Sequence, residues 1–169
     1  SFILADDITG DGFEELICGF DGFGIYLGIF NRQGRELMTS EEKYPFFDIY
    51  QSMTNRQSGK GLQWIRILTV VPTDIGTGSI LSDPGSEVII TYSGSVYSYS
   101  YGSGWTQIPA IPAFDIIIAG NFTDSIEDDL LIYDTSLKDL YLWRSGSGSL
   151  ELLWYSSGEG EITAMSTLN

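Results

Sequence analysis

The stretch Asp6-Asp7-Ile8-Thr9-Gly10-Asp11-Gly12-Phe13-Glu14-Glu15 decides how the rest of the chain reads. Side-chain oxygens fall at Asp7, Thr9, Asp11 and Glu15, with Gly10 and Gly12 between them and apolar residues Ile3, Leu4, Leu16 and Ile17 on either side. Alternate residues of a tight loop can point at one centre, so this spacing can gather the oxygens of a hard cation, with the Phe13 carbonyl as a fifth ligand. Glycine lets the backbone curl around such a centre. Short apolar runs bounded by turn residues are strand signals. The expectation is a calcium-binding turn between two buried β-strands.

The last acid of this turn falls at the ninth position from Asp7, and strands flank it. An EF-hand loop ends on an acid at its twelfth position and lies between helices, so that reading is set aside. At 169 residues the chain suits one domain with a sizeable core. With 43% hydrophobic and 14% aromatic residues, disorder is disfavoured. Eight Lys plus Arg against 23 Asp plus Glu give a formal charge of −15. That balance argues against nucleic acid or an anionic membrane surface as partner, and for cations or basic groups.

Histidine is absent, which removes the commonest general base and any Ser-His-Asp arrangement. Cys18, the sole cysteine, lies in Leu16-Ile17-Cys18-Gly19 and reads as a small buried hydrophobe. No apolar run approaches the roughly 18 residues of a membrane-crossing helix, so direct membrane insertion is not expected.

Strand signals dominate the chain: Phe2 to Ala5, Glu15 to Phe20, Phe23 to Phe30 and Arg35 to Met38 come first. A polar segment from Thr39 to Gly61 reads as a long loop. Strands resume at Trp64 to Val71, Glu87 to Tyr92, Ser95 to Tyr101 and Trp105 to Ile108, with a Gly/Ser/Thr-rich insertion from Thr73 to Ser82. The last third offers Phe114 to Ala119, Asp129 to Tyr133, Asp139 to Arg144, Leu150 to Trp154 and Glu161 to Met165. Ser95 to Tyr101 alternates small polar and larger residues with period two, as a strand with two unlike faces should.

The opening turn recurs. Ala5 to Leu16 aligns without gaps on Ala119 to Leu130, which places Asn121, Thr123, Ser125 and Asp129 on Asp7, Thr9, Asp11 and Glu15, with Glu127 at the place of Phe13. This copy has lost charge and both glycines, so it is expected to hold calcium more weakly or not at all. A middle copy places Asp83 and Glu87 on Asp11 and Glu15, with Trp64 to Val71 as its first strand. Three copies at a mean spacing of about 57 residues, each with about four strands, match the blade size of a β-propeller.

The segment Leu4 to Leu16 resembles the FG-GAP or VCBS repeat of integrin alpha-subunit propellers, fungal propeller lectins and many bacterial surface proteins. Asp128 to Asp134 with Leu140 to Trp143 resembles the same repeat, although Thr9 stands where that family usually has Asp or Asn. The resemblance implies an all-β fold in which the acidic loop joins the first two strands of a blade and binds calcium. It covers nearly the whole chain as units of about 1–60, 61–112 and 113–160, with a further unit starting at 161–169. Typical propellers close with four to eight blades. The sequence is therefore expected to be part of a longer protein, or to complete its ring with blades from other subunits.

The function expected is a non-catalytic, calcium-stabilised binding or scaffold module that recognises a protein or glycan. In a lectin, exposed aromatics among Tyr101, Trp105, Trp143, Trp154 and Tyr155 would stack on sugars; in a folded core they would pack instead. The alternatives are a propeller domain of a carbohydrate-active lyase or hydrolase, and an accessory subunit of a large assembly. Asp128 and Asp129 are consecutive, so on a strand they point to opposite faces and do not form the facing pair of glycosidic chemistry. Asn121-Phe122-Thr123 is a glycosylation sequon, which with the surface-protein resemblance favours an extracellular, cell-surface or lumenal location.

Overall fold

The computed structural model describes residues 1–20, 22–30, 62–82, 84–112, 115–123, 125–155, 162 and 165. Among these residues twelve strands form three four-stranded antiparallel sheets, each strand pairing with its neighbour in the chain. The first sheet holds β1 (Phe2–Asp6), β2 (Glu15–Phe20), β3 (Gly24–Phe30) and β4 (Leu62–Leu68). The second holds β5 (Asp74–Gly78), β6 (Glu87–Tyr92), β7 (Ser95–Ser100) and β8 (Gly104–Pro112). The third holds β9 (Ile116–Gly120), β10 (Asp129–Asp134), β11 (Asp139–Arg144) and β12 (Ser149–Tyr155). The all-β expectation holds. Among the described residues no helix is long and apolar enough to cross a membrane.

The sheets stack face to face, and strand alternation explains how. In β6, Val88 and Ile90 pack with Ile17, Ile25 and Leu27 of the first sheet, while Ile89 between them packs with Ile117, Leu130 and Ile132 of the third. Successive strand residues point to opposite faces. The middle sheet is therefore buried on both sides, and β6 reads as a nearly continuous apolar run. The first strands lie together as well: β5 runs beside β9 and touches β1.

One register recurs through the stack. The first ladder pairs Phe2 with Gly19, the second Asp74 with Thr91, and the third Ile116 with Tyr133. Both members of the pair move by 72 residues and then by 114 relative to the first. The following hairpins break the match because their turns differ in length. Phe20 pairs with Gly24, Tyr92 with Ser95 and Asp134 with Asp139. Between Tyr92 and Ser95 lie only Ser93 (φ 47°) and Gly94 (φ 84°). Two consecutive positive φ angles characterise the tight turn whose twist matches paired strands.

Two boundaries differ from the sequence reading. The strand expected to open the second unit, Trp64 to Val71, corresponds to β4 and pairs with β3, so the first sheet extends to Leu68 rather than ending near residue 60. The second sheet opens with β5, inside the stretch read as an insertion. The sequence Asp74-Ile-Gly-Thr-Gly78 carries one large apolar residue because it lies where strands approach closely. A Cβ on Gly78 would fall 2.3 Å from the Ala119 Cβ. The expected strand Arg35 to Met38, the loop from Thr39 to Gly61 and most of Glu161 to Met165 lie outside the described residues.

Ile89 is fully buried between the second and third sheets, so Ile89→Ala should lower unfolding stability by about 3 kcal/mol, whereas Ile126→Ala at an exposed turn should change it by less than about 0.5 kcal/mol. Urea midpoints compare the two. Asp74 accepts the Ile117 amide at 2.7 Å, and burial raises its pKa above the ordinary 3.8 against the pull of the Ile117 and Ile75 amides. The folded chain thus keeps this proton at a pH where the unfolded chain has lost it, and stability falls as pH rises through the window just above 3.8. Asp74→Asn keeps an acceptor for Ile117 and should flatten that part of the stability–pH profile, measured by thermal melts at stepped pH.

Candidate functional site: the acidic turns and the adjoining cleft

Asp7, Thr9, Asp11 and Phe13 all lie in the β1–β2 turn, and Glu15 is the buried first residue of β2. Gly10 and Gly12 take φ of 72° and 85°, which folds the turn back on itself. The Asp7 carboxylate accepts the Asp11 amide at 3.0 Å and the Gly12 amide at 2.8 Å. Asp11 accepts the Phe13 amide at 3.0 Å, and Glu15 Oε2 accepts the Thr9 amide at 2.9 Å. Burial raises the Glu15 pKa, opposed by the Thr9 backbone and side chain and reinforced by the charges of Asp11 and Asp7. Glu15 therefore senses the charges of the other two proposed carboxylates. Among the described residues, however, no three acidic or cysteine side chains converge closely enough to grip an ion as they stand.

The acid at the head of the second strand is buried in every sheet: Glu15, Glu87 and Asp129. Glu87 Oε2 accepts the Ile80 amide at 2.8 Å and the Leu81 amide at 3.2 Å. Asp129 Oδ2 accepts the Thr123 hydroxyl at 2.7 Å, and its Oδ1 accepts the Ser145 amide at 3.2 Å. Thr9, Leu81 and Thr123 each stand six residues before their acid. A buried carboxylate must be compensated, and here the turn's own donors do it.

The third turn is held by hydrogen bonds of its own. Asn121 Nδ2 donates to the Ser125 carbonyl at 2.7 Å, and Ser125 Oγ donates to the Glu127 carbonyl. Thr123 spends its hydroxyl on Asp129. Asn121, Thr123 and Ser125 thus spend their donors within the turn, while their side-chain oxygens keep lone pairs. The first turn carries more negative charge, with Asp7 and Asp11 where the third has Asn121 and Ser125. A carboxylate offers about four lone-pair sites, and Asp7 and Asp11 keep acceptor capacity beside their amide bonds. In the middle turn Asp83 lies outside the described residues.

The first turn also docks on the second sheet. Ser86 donates from its amide to the Asp7 carbonyl at 2.7 Å and from its hydroxyl to Asp6 at 2.9 Å. A Cβ on Gly10 would fall 2.6 Å from the Pro84 oxygen. Beside this junction, Thr9, Pro84, Ser100, Tyr101 and Ser103 line a polar cleft of about 210 Å³. Of the aromatics considered for sugar stacking, Trp143 is buried between the second and third sheets. Trp105 packs against the first core and donates to the Ile67 carbonyl at 2.6 Å. Tyr101, Trp154 and Tyr155 are exposed, and only Tyr101 among these five borders the cleft. Sequence reasoning missed the role of Glu87 and Ser86, although the 72-residue offset from Glu15 already pointed to Glu87.

Glu87→Ala leaves the Ile80 and Leu81 amides without that acceptor and should destabilise the fold on the order of 2–4 kcal/mol, while Glu87→Gln keeps an acceptor and should lose less. Chemical denaturation of the two variants checks this ranking. No family model matches the chain, and no curated protein or solved structure matches it.

Proposed function

We propose that the chain is a non-catalytic binding or scaffold module made of propeller-type blades, related to FG-GAP or VCBS repeats. In this reading calcium in the first turn stiffens the junction beside the polar cleft, and the cleft recognises a protein or glycan. The observation that carries the proposal is the stack of three four-stranded sheets with their first strands side by side and the same buried acid at the head of each second strand. Propellers repeat four-stranded sheets around a central channel. Asp7, Asp11 and Glu15 would supply the charge that holds the ion, Thr9 and the Phe13 carbonyl its remaining oxygens. When bound, the ion offsets the mutual repulsion of these carboxylates and adds stability by mass action.

The use of the other acids supports a structural rather than chemical role. Asp128 accepts the Ser79 amide at 2.9 Å and Asp129 holds Thr123 and Ser145, so both carboxylates fasten turns. The sequon at Asn121 and the calcium reading together suit an extracellular or lumenal setting, where calcium is abundant enough for a turn of modest charge.

Isothermal titration with calcium should show binding that Asp11→Ala abolishes and that Asp129→Asn leaves unchanged, and EDTA should lower the melting temperature. Absence of heat together with a melting temperature indifferent to EDTA would overturn the calcium reading. A glycan array run beside a hydrolysis screen, with Tyr101→Ala as control, addresses recognition: retained binding lost in the variant is expected, and turnover without retained binding would overturn a non-catalytic module.

A further inference from the structure

The polar cleft between the first and second sheets is walled by three turns: Thr9 comes from the β1–β2 turn, Glu87 from the end of the β5–β6 turn, and Ser100, Tyr101 and Ser103 from the β7–β8 turn. In the last of these the Ser100 carbonyl accepts the Ser103 amide at 3.1 Å, and Gly102 and Gly104 take φ of 84° and 85°, so the chain doubles back tightly. Glu87 is 1% exposed and Ser100 8%, whereas Tyr101 is 38% exposed. The cleft therefore has a buried inner wall and an open aromatic rim.

Its chemistry is one-sided. Thr9, Ser100, Tyr101 and Ser103 are hydroxyl residues, and Glu87 adds a carboxylate. Of the cations among the described residues, Arg66 lies in β4 over the Tyr26 ring, Arg144 pairs with Glu151 at 2.7 Å and Lys138 sits in the β10–β11 turn, so none of the three lines the cleft. Two more acids stand at the same junction: Asp6 accepts the Ser86 hydroxyl at 2.9 Å, and Glu15 accepts the Thr9 amide at 2.9 Å. The Ile80 and Leu81 amides that Glu87 Oε2 accepts offset its loss of water but cancel no charge. A concave surface lined by charge of one sign concentrates its counter-ion.

We propose that this cleft receives the side-chain ammonium of a lysine on a protein partner. An ammonium carries three donors and no acceptor, so a carboxylate and hydroxyls brought together from several turns suit it. The planar fork of arginine works best against both oxygens of one carboxylate, and Glu87 Oε2 already holds two amides. The apolar stem of the lysine lies along the exposed Tyr101 ring, and the ammonium binds beside Glu87, Ser100 and Ser103. A neutral sugar would gain nothing from the charge.

This deepens the reading of the cleft as a recognition surface and rests on it. The test uses the whole chain with EDTA present, so that calcium plays no part. Titrating isotope-labelled protein with the peptide acetyl-Gly-Lys-Gly-amide should shift the NMR signals of the Ser100, Tyr101 and Ser103 amides saturably, and more weakly as salt rises. Acetylating the peptide's lysine should weaken binding at least about tenfold, as expected for loss of a charged hydrogen bond. An arginine peptide should also bind less well. Tyr101→Ala should weaken the lysine peptide roughly two- to fivefold. Leu137→Ala, in the exposed β10–β11 turn, should leave it unchanged. Glu87→Gln keeps an acceptor for the Ile80 amide and should remove the preference for lysine over acetyl-lysine. The comparison of peptides needs no variant, so it decides the matter even if Glu87→Gln fails to fold. Equal binding of the acetylated or arginine peptide, or indifference to salt, overturns the proposal. So does a neutral glycan that shifts the same three amides when the lysine peptide does not, although the cleft then stands as a recognition surface; if neither ligand shifts them, that reading falls as well.

Discussion

Everything in this molecule depends on a buried carboxylate that is not allowed to stand alone. Glu15, Glu87 and Asp129 each begin the second strand of a sheet, out of contact with water, where an uncompensated charge would cost several kcal/mol. Each takes its compensation from the turn six or seven residues earlier, through an amide or a hydroxyl. The acid therefore fixes the shape of the turn, and the turn carries a carbonyl that the next sheet's backbone binds. A local electrostatic requirement thus becomes the fastening between sheets.

Packing then does what hydrogen bonds cannot. The turn residues Ile8 and Ile80 follow the acid's constraint into the cores of successive junctions, beside the apolar faces of β6 and β10. Because β6 serves two neighbours, the charged anchor Glu87 is followed by Val88 and Ile90 packed to one side and Ile89 packed to the other. Small residues in β5 let it lie close to β9. A larger side chain at Gly78 would meet Ala119 and push β5 and β9 apart.

Much of this architecture is legible in the sequence, and what is not has a physical reason. Strands such as Glu87–Tyr92 and Asp139–Arg144 announce themselves because apolar runs end sharply at turn residues. β5 does not, since close approach of strands at Gly78 leaves no room for the branched residues that mark a strand. β4 is visible as a strand, but its partner is not, because a polar segment separates it from β3 and nothing in composition tells a closing strand from an opening one. The first turn is legible as an acidic, glycine-bearing loop. Whether its oxygens face an ion or the turn's own amides is not, because the same residues serve both ends. At the third turn the donation by Asn121, Thr123 and Ser125 is likewise visible only in the folded chain.

Cys18 gives the molecule a built-in gauge. It lies in β2 directly opposite Ile3 of β1, buried, and burial pushes its thiol pKa up. A thiolate is the reactive form, so the closed sheet protects it both by shielding and by suppressing ionisation. As the chain's sole thiol, it reacts with a soluble reagent at a rate set by transient exposure. In the limit where reclosing outpaces labelling, that rate reports the free energy of local opening at the β1–β2 edge, without any substitution in the chain.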